Sequence, residues 1–250
     1  MVTVKLILEY DGTHYHGWER QPCLITLQGT LEAALRQLTG RATLTFGSGR
    51  TDAGVHAKGQ VVHFTTTASF QPEEWIRALN ALLPRDMAVQ SAQEVSPSFH
   101  ARYAAQGKTY VYRIHLKKIR SPLSVNHAWH IPYALDIKKM RMAAKHLIGH
   151  HNFAAFCGKA KEREKHTVDL REIQITKKGV EVEIRITASH FLRYMVRNIV
   201  GLLVEVGRGR RSPHDVPVIL AGRDRRLSGP TAPPHGLFLI HVEYPDNLGD

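Results

Sequence analysis

The order of strand-like and helix-like segments repeats once along this chain, and this repeat constrains the fold more than any other feature. In the first half, apolar and β-branched segments are interleaved with two segments of helical periodicity. These segments are Val2 to Tyr10, Leu27 to Leu38, Thr43 to Phe46, Gln60 to Thr65, Pro72 to Leu82 and Met87 to Val95. Their order, β-α-β-β-α-β, is that of the split βαβ, or ferredoxin-like, unit.

The second half of the chain shows the same order. Its segments are Lys108 to Leu116, Asp136 to Ile148, Leu170 to Lys177, Val180 to Ala188, Phe191 to Val206 and Gly236 to Tyr244. The repeat predicts an α+β fold in which two ferredoxin-like halves, residues 1–104 and 105–250, join into one large antiparallel sheet with helices on one face. The uncovered sheet face is expected to be available for a ligand. The segments that fit neither half are Arg120 to Pro132, Gly158 to His166 and Gly207 to Pro234.

The charge of the chain favours a nucleic-acid partner. It has 34 Lys and Arg residues against 22 Asp and Glu residues, a formal net charge of +12 over 250 residues, and such an excess attracts polyanions. A composition of 43% hydrophobic and 22% charged residues is that of a soluble globular protein. Neither a signal peptide nor a long apolar run is evident, and Cys23 and Cys157 are too few for a disulfide framework. We therefore expect a cytoplasmic protein without a membrane partner.

The strongest local signal is a glycine-flanked loop between two predicted strands. It reads Gly47-Ser48-Gly49-Arg50-Thr51-Asp52-Ala53-Gly54-Val55-His56-Ala57. Asp52 is its only carboxylate and the natural reactive group, although an Asp in a tight loop can also simply bond its own backbone. The loop is neither a Walker A sequence nor a dinucleotide-binding fingerprint, because the required Gly-Lys-Ser/Thr and third glycine are missing. Phosphate-cradling nucleotide chemistry is therefore disfavoured.

Further motifs accompany this loop along almost the whole chain. They are Tyr10-Asp11-Gly12 with Gly17-Trp18-x-Arg20-Gln21, Gly59-Gln60-Val61-Val62-His63-Phe64, Asn80-x-Leu82-Leu83-Pro84, Phe99-His100-Ala101-Arg102, Lys108-x-Tyr110-x-Tyr112, Phe153-x-x-Phe156, Phe191-Leu192-x-x-Met195-Val196-Arg197-Asn198-Ile199-Val200-Gly201, and Gly236-Leu237-Phe238-Leu239. Together with the Arg50-Thr51-Asp52 loop, they resemble the TruA family of tRNA pseudouridine synthases. The pair Arg193-Tyr194 departs slightly from the family pattern.

This resemblance implies an isomerase that converts uridine to pseudouridine at positions 38 to 40 of the tRNA anticodon stem-loop. The reaction breaks the N1–C1′ bond, rotates the uracil and joins C5 to C1′, so it needs neither a metal ion nor another cofactor. Family members act as homodimers that the RNA bridges. The resemblance thus predicts tRNA and a second copy of the chain as partners.

The resemblance also assigns roles to particular residues. Asp52 is catalytic, and the sequence leaves open whether it attacks C1′, attacks C6 or deprotonates C2′. Because the target base must leave its stack, Arg50 would fill the vacated space. Tyr110 would pack on the uracil or take its proton, Arg197 would pair with Asp52, and Leu237 would complete the apolar wall. Taken alone, Tyr110 would more often be sheet packing, Arg197 a surface charge and Leu237 a core residue.

Two other functions remain as alternatives. Sixteen histidines could suggest a metal enzyme, but His-Glu-x-x-His and Cys-x-x-Cys sequences are absent, so no metal ligands are predicted. A non-catalytic RNA-binding module of RRM type would share the ferredoxin-like order, but its aromatic signature is missing. Basic loop residues are expected to bind tRNA phosphates, although the charged run after Gly158 is also typical of a solvated loop. The candidates are Arg208, Arg210, Arg211, Lys159, Lys161, Arg163 and Lys165.

Overall fold

The computed structural model describes residues 1–158 and 165–245. In chain order, the helices and strands up to residue 106 are β1 (Val2–Tyr10), α1 (Leu27–Thr39), β2 (Phe46–Gly47), β3 (His56–Thr66), α2 (Pro72–Leu82) and β4 (Met87–Val95). From residue 107 onward they are β5 (Gly107–Leu116), β6 (Trp129–Ile131), α3 (Ile137–Lys145), β7 (Gly149–Asn152), β8 (Thr167–Lys178), β9 (Glu181–Ala188), α4 (Met195–Gly207), α5 (Asp215–Gly222) and β10 (Leu237–Glu243). The strands pair mostly antiparallel, which confirms the predicted α+β fold class.

The chain divides into two compact units. Unit 1 consists of Met1–Gln106 and the residues that follow Leu237, and unit 2 is Gly107–Leu237. The division after Gln106 lies close to the predicted one after residue 104, but Phe238 and the rest of β10 belong to unit 1. The ferredoxin-like halves proposed from the sequence remain a prediction. None of the helices in the described ranges has the length and hydropathy of a membrane span.

Unit 1 is built around β1, which pairs antiparallel with β4 on one side and β3 on the other. β2 and β10 both pair with β3, antiparallel and parallel respectively. Alternate residues of β1, such as Leu6 and Leu8, are fully buried. On β3, Phe64 packs against Trp75 of α2, with 5.4 Å between ring centroids. Because side chains alternate along a strand, the neighbouring His63 projects from the opposite face.

Local capping interactions set the helix ends in unit 1. The Thr26 hydroxyl accepts a hydrogen bond from the Gly29 N–H at the start of α1, and Gly40 ends the helix in the left-handed conformation, with a φ of 70°. α2 begins with a capping box between Gln71 and Glu74 and has Pro72 in its first turn.

Unit 2 contains an antiparallel sheet in the order β5-β9-β8-β7, with β6 parallel to β5. Helix α4 is buried along most of its length, as its apolar sequence requires. The predicted helix start at Phe191 is wrong, because Tyr194 has a φ of 63° and the helix begins only at Met195. β6 and α5 lie within segments that fit neither predicted half, and the short strand β7 directly follows the predicted helix that ends at Ile148.

Two strand predictions in unit 1 also need correction. The predicted strand from Thr43 to Phe46 is reduced to the two residues Phe46 and Gly47. The predicted strand from Gln60 begins earlier, at His56, because His56 and Ala57 pair with β10 and so extend β3. The Asp52 loop therefore leads directly into a paired strand.

Candidate active site

The Asp52 loop is held through the residue that precedes Asp52. The Thr51 carbonyl accepts a hydrogen bond of 3.0 Å from the Trp18 N–H. The Thr51 hydroxyl lies 2.9 Å from the Tyr10 hydroxyl, and Thr51 is buried. Asp52 itself is only partly buried. The backbone is thus fixed at Thr51, directly before the half-buried Asp52.

Two glycines from the first motif make room for this loop. A Cβ atom on Gly12 would collide with the Val55 carbonyl oxygen, and one on Gly17 would lie 2.7 Å from the Thr51 oxygen. Gly17 also has a φ of 91°, a conformation that favours glycine. The N-terminal motif and the Asp52 loop therefore occur together because one packs against the other.

The loop is also attached to β3. The Ser48 hydroxyl donates a hydrogen bond of 2.7 Å to the Gln60 Oε1, and the Gln60 Nε2 donates one of 2.9 Å to the Gly49 carbonyl. Both Ser48 and Gln60 are fully buried. At the C-terminal end of the loop, the Val55 N–H donates a hydrogen bond of 3.1 Å to the Asp52 carbonyl. The loop is consequently a rigid support rather than a loose connection.

Arg50 lies two residues before Asp52 and is exposed. Its guanidinium pairs with the Glu19 carboxylate, and both side chains are solvent-accessible. A surface ion pair of this kind is weak, about 0–1 kcal/mol. The ion pair with Glu19 therefore constrains the Arg50 side chain only weakly.

His56, near the end of the motif, is buried, and its role was not predicted from the sequence. Its Nδ1 accepts a hydrogen bond of 3.1 Å from the Gly12 N–H. Its ring stacks on Phe238 of β10, with 4.6 Å between centroids. The position of His56 within the motif was the only signal of this supporting function.

Tyr110 lies on β5 in unit 2 and is buried. Its ring contacts Phe191 edge to face, with 5.1 Å between centroids. Tyr112 is on the same face of the strand and is completely buried, and its hydroxyl donates a 2.8 Å hydrogen bond to the Pro233 carbonyl. Burial raises the pKa of Tyr112 above its usual range, and the nearby Arg197 opposes this rise. Tyr112 therefore remains protonated.

Arg197 lies in the first turn of α4 and is not a free surface charge. Its Nε donates a hydrogen bond of 2.8 Å to the Ala232 carbonyl, and its own carbonyl accepts one of 3.0 Å from the Ala232 N–H. The guanidinium carbon is 5.2 Å from the centre of the Tyr194 ring. These contacts fix the direction of the Arg197 side chain.

The segment that contains Ala232 is held by a second arginine, Arg225, whose role was not predicted from the sequence. The Arg225 guanidinium donates four hydrogen bonds. Their acceptors are the Ser228 hydroxyl, the Gly229 carbonyl, the Asn198 Oδ1 and the Thr231 hydroxyl. Asn198 is fully buried and also donates to the Phe156 carbonyl at 2.7 Å. The only sequence signal was an arginine in a Gly/Pro/Arg-rich stretch.

Leu237 begins β10 and is buried, as its apolar character suggests. Gly236 precedes it, and a Cβ atom there would lie 2.8 Å from both the Tyr112 ring and the Arg113 carbonyl. Unit 2 thus brings Arg197, Tyr112 and the residues next to Leu237 into one region, whereas Arg50 and Asp52 share a loop of unit 1. The predicted pairing of Arg197 with Asp52 joins residues of different units and stays a prediction.

Comparisons with known proteins show the family to which the chain belongs. A family model described as tRNA pseudouridine synthase matches residues 6–104 and 143–245. The chain belongs to the tRNA pseudouridine synthase family. As a member, it is an isomerase that acts on uridine in tRNA.

The similarity to other synthases extends over nearly the whole chain. Proteins named tRNA pseudouridine synthase A are 45% identical in Syntrophotalea carbinolica and 44% identical in Geobacillus kaustophilus. The alignment with the Syntrophotalea protein covers 98% of this chain and 97% of that protein. The alignment with the Geobacillus protein covers 97% of this chain and 95% of that protein. The relative from Caldicellulosiruptor saccharolyticus is 41% identical, over 98% of this chain and all of its own length.

The ranges that match the synthase family include candidate residues from each of the two units. They contain the Asp52 loop, Arg197 and Leu237, whereas Tyr110 falls between them. The roles of the individual residues are not tested by this match, and they remain proposals.

Proposed function

We propose that this synthase forms pseudouridine at positions 38 to 40 of the tRNA anticodon stem-loop, with Asp52 as the catalytic carboxylate. The observation that supports this is the well-braced Asp52 loop, whose backbone is fixed at Thr51 directly before the half-buried Asp52. A carboxylate held in this way can act on a base that has left its stack.

The chemistry requires only rearrangement within the nucleotide. The N1–C1′ bond breaks, the uracil turns, a C5–C1′ bond forms, and the C5 proton is lost while N1 is protonated. Asp52 would attack C1′ or C6, or remove a proton from C2′. Arg50, Tyr110, Arg197 and Leu237 are proposed as substrate-binding residues, because an arginine can occupy the vacated stack and the others can enclose the base.

The position of the modified uridine is tested directly with unmodified tRNA transcripts. We expect pseudouridine at positions 38 to 40 after incubation with the purified protein, and at none of them when those uridines are replaced by cytidine. Release of tritium from 5-tritiated uridine gives the rate. Modification at another position would contradict the proposed specificity and leave the family assignment intact.

The role of Asp52 is tested by Asp52→Asn, which keeps the size of the side chain and removes its charge. We expect turnover to vanish while the fold and the tRNA affinity are retained. Asp136→Asn is a matched control, because Asp136 caps α3 and asparagine caps helices equally well. Pseudouridine formation by a clean Asp52→Asn preparation would refute the assignment.

We propose further that the protein works in the cytoplasm as a homodimer. The dimer rests on the resemblance alone, and the cytoplasmic location is supported by two free cysteines, Cys23 and Cys157. Sedimentation of the protein with and without tRNA tests the dimer, and a monomer under both conditions would contradict it.

A further inference from the structure

Unit 1 carries a continuous array of aromatic rings that the candidate active site does not use. It consists of Phe46, His63, Phe99, His100, Tyr103 and Tyr244, which we call the aromatic platform. Phe46 stacks on His63 at 5.2 Å, His63 contacts His100 at 4.6 Å, and His100 contacts Tyr103 at 4.3 Å between centroids. Phe99 joins the array through His63 at 5.9 Å and Tyr244 at 5.2 Å.

The two ends of the platform are open to solvent. The exposed fraction is 47% for Phe46 and 78% for Tyr103, whereas His63 and Phe99 between them are buried. Exposed aromatic rings offer flat apolar faces on which a ligand with rings of its own can stack. Their common support by buried rings makes them one surface rather than two isolated side chains.

Hydrogen bonds hold the Tyr103 end in place. The His63 Nδ1 accepts from the Ala101 N–H at 3.2 Å, and the Tyr244 hydroxyl donates to the Ala101 carbonyl at 2.6 Å. The His100 Nδ1 accepts from the Arg102 N–H at 3.1 Å. A surface organised in advance loses little conformational entropy when it binds.

The charges on the platform indicate the chemistry of its ligand. The Lys5 Nζ is 5.7 Å from the centre of the Phe99 ring, and the Arg102 guanidinium carbon is 5.9 Å from that of Tyr103. Within the described residues, neither Lys5 nor Arg102 forms an ion pair. Flat rings beside unpaired cations match a ligand that combines flat faces with negative charge, as nucleotides do.

We propose that the aromatic platform stacks on an unpaired base of the tRNA substrate, while Arg102 and Lys5 neutralise nearby phosphates. This proposal rests on the proposed function, which supplies the RNA. His63 is seven residues beyond His56 on β3, about 23 Å away at ~3.3 Å per residue. The platform therefore binds a nucleotide other than the one that reacts, and contributes to affinity rather than to chemistry.

A second copy of the chain is a less suitable occupant. A two-fold interface places the same patch of both subunits together. Lys5 and Arg102 would then face their own counterparts in a protein of net charge +12. RNA offers the opposite charge and therefore fits this surface better.

The test compares substitutions of Tyr103, which is exposed enough to be replaced without disturbing the fold. Tyr103→Leu removes the π face and keeps an apolar side chain, whereas Tyr103→Trp keeps a stacking ring. We expect Tyr103→Leu to raise the Kd for an unmodified tRNA transcript about 5- to 150-fold, the usual effect of losing one stacked base. Tyr103→Trp should bind within about threefold of the parent, and both should keep the parental single-turnover rate at saturating tRNA.

Val218→Ala is the control, because Val218 is 68% exposed, apolar and part of unit 2. It should leave the Kd unchanged. A parental Kd for Tyr103→Leu would overturn the proposal, as would a Tyr103→Leu variant that loses self-association in sedimentation but binds tRNA normally. A parent that binds tRNA without modifying positions 38 to 40 would instead overturn the proposed function, and the platform would still be judged by the Kd values.

Discussion

His63 shows how one residue links the sheet to a neighbouring turn. Burial, together with the charge of His100, lowers the pKa of His63 to about 4. The Nδ1 that accepts from the Ala101 N–H must be unprotonated, so the turn that carries Tyr103 depends on a neutral ring. The fold thus removes a charge that an exposed histidine would gain in mild acid.

This shift predicts a specific dependence of stability on pH. In the unfolded chain, His63 takes up a proton as the pH falls through about 6.5, whereas in the folded protein it does so only near 4. The free energy of unfolding should therefore fall between pH 6.5 and 4, and His63 should cause no further loss below that. We expect His63→Asn to lose less stability than the parent between pH 7 and 4.5 in urea unfolding.

The control for this experiment is His14→Gln, because His14 is exposed. Its stability should follow the parental pH dependence. Equal losses in His63→Asn and the parent would show that the titration of His63 does not contribute.

At the same scale, the sequence predicted Asp52, Arg50, Tyr110, Arg197 and Leu237 through motif resemblance, and it predicted no role for their supports. Asn198 and Arg225 are such supports, and the hydrogen bond between them joins positions 27 residues apart. Such long-range partners leave no periodic signal in a single sequence. Gly12 was part of a quoted motif, but the Val55 carbonyl that leaves no room for a Cβ atom there was not predictable.

Among the elements, the regular ones were predicted best. β1 and β4 have the predicted ends, and α1 and α2 lie where helical spacing and capping residues place them. The start of α4 was misplaced because the left-handed Tyr194 overrides an apolar pattern that continues through Phe191. The start of β3 was misplaced because pairing with β10, rather than strand propensity, makes His56 part of the strand.

The segment packed against α4 supports a prediction at this scale. It contacts the helix at three residues. Asn198 accepts hydrogen bonds from Arg225 and Thr231, and Arg197 donates one to the Ala232 carbonyl. At Gly201 the segment comes so close that a Cβ atom would collide with the Pro230 carbonyl. Arg225→Met removes four hydrogen bonds and leaves the buried Asn198 with fewer partners. We expect a loss of about 2–4 kcal/mol in the free energy of unfolding, measured in urea by circular dichroism.

The adjacent arginine provides a matched control. Arg226 is exposed and pairs only with Asp224 among the described residues. Arg226→Met should change the free energy of unfolding by less than about 0.5 kcal/mol. If both variants lost the same stability, the hydrogen bonds of Arg225 would not be what holds the segment.

For the whole molecule, the net charge of +12 should determine how tRNA affinity responds to salt. Most of the binding free energy should come from Lys and Arg residues that neutralise phosphates and release counterions. We expect affinity to fall by a factor on the order of 10³ or more between 50 and 200 mM salt if about six phosphates are engaged. An affinity independent of salt would show that the charge excess is incidental.

The structure refines which residues to change in that titration. Arg208 packs over the Tyr133 ring at 4.4 Å and shares the Glu205 carboxylate with Arg210. Its replacement would disturb packing as well as charge. Arg210 and Lys165 are more exposed, so Arg210→Gln with Lys165→Gln should flatten the salt slope and leave the single-turnover rate unchanged. Lys159, Lys161 and Arg163 lie outside the described residues.

The return of the chain to unit 1 affects the order in which the protein can be completed on the ribosome. The start of β3, immediately after the Asp52 loop, pairs with Phe238 and Leu239. Those residues are made only after the whole of unit 2, on the order of ten seconds later at a usual rate of translation. Until then, an edge beside the Asp52 loop lacks its strand and needs protection from other chains. A nascent chain that stalls within unit 2 therefore carries all of the Asp52 motif but not the strand that supports it.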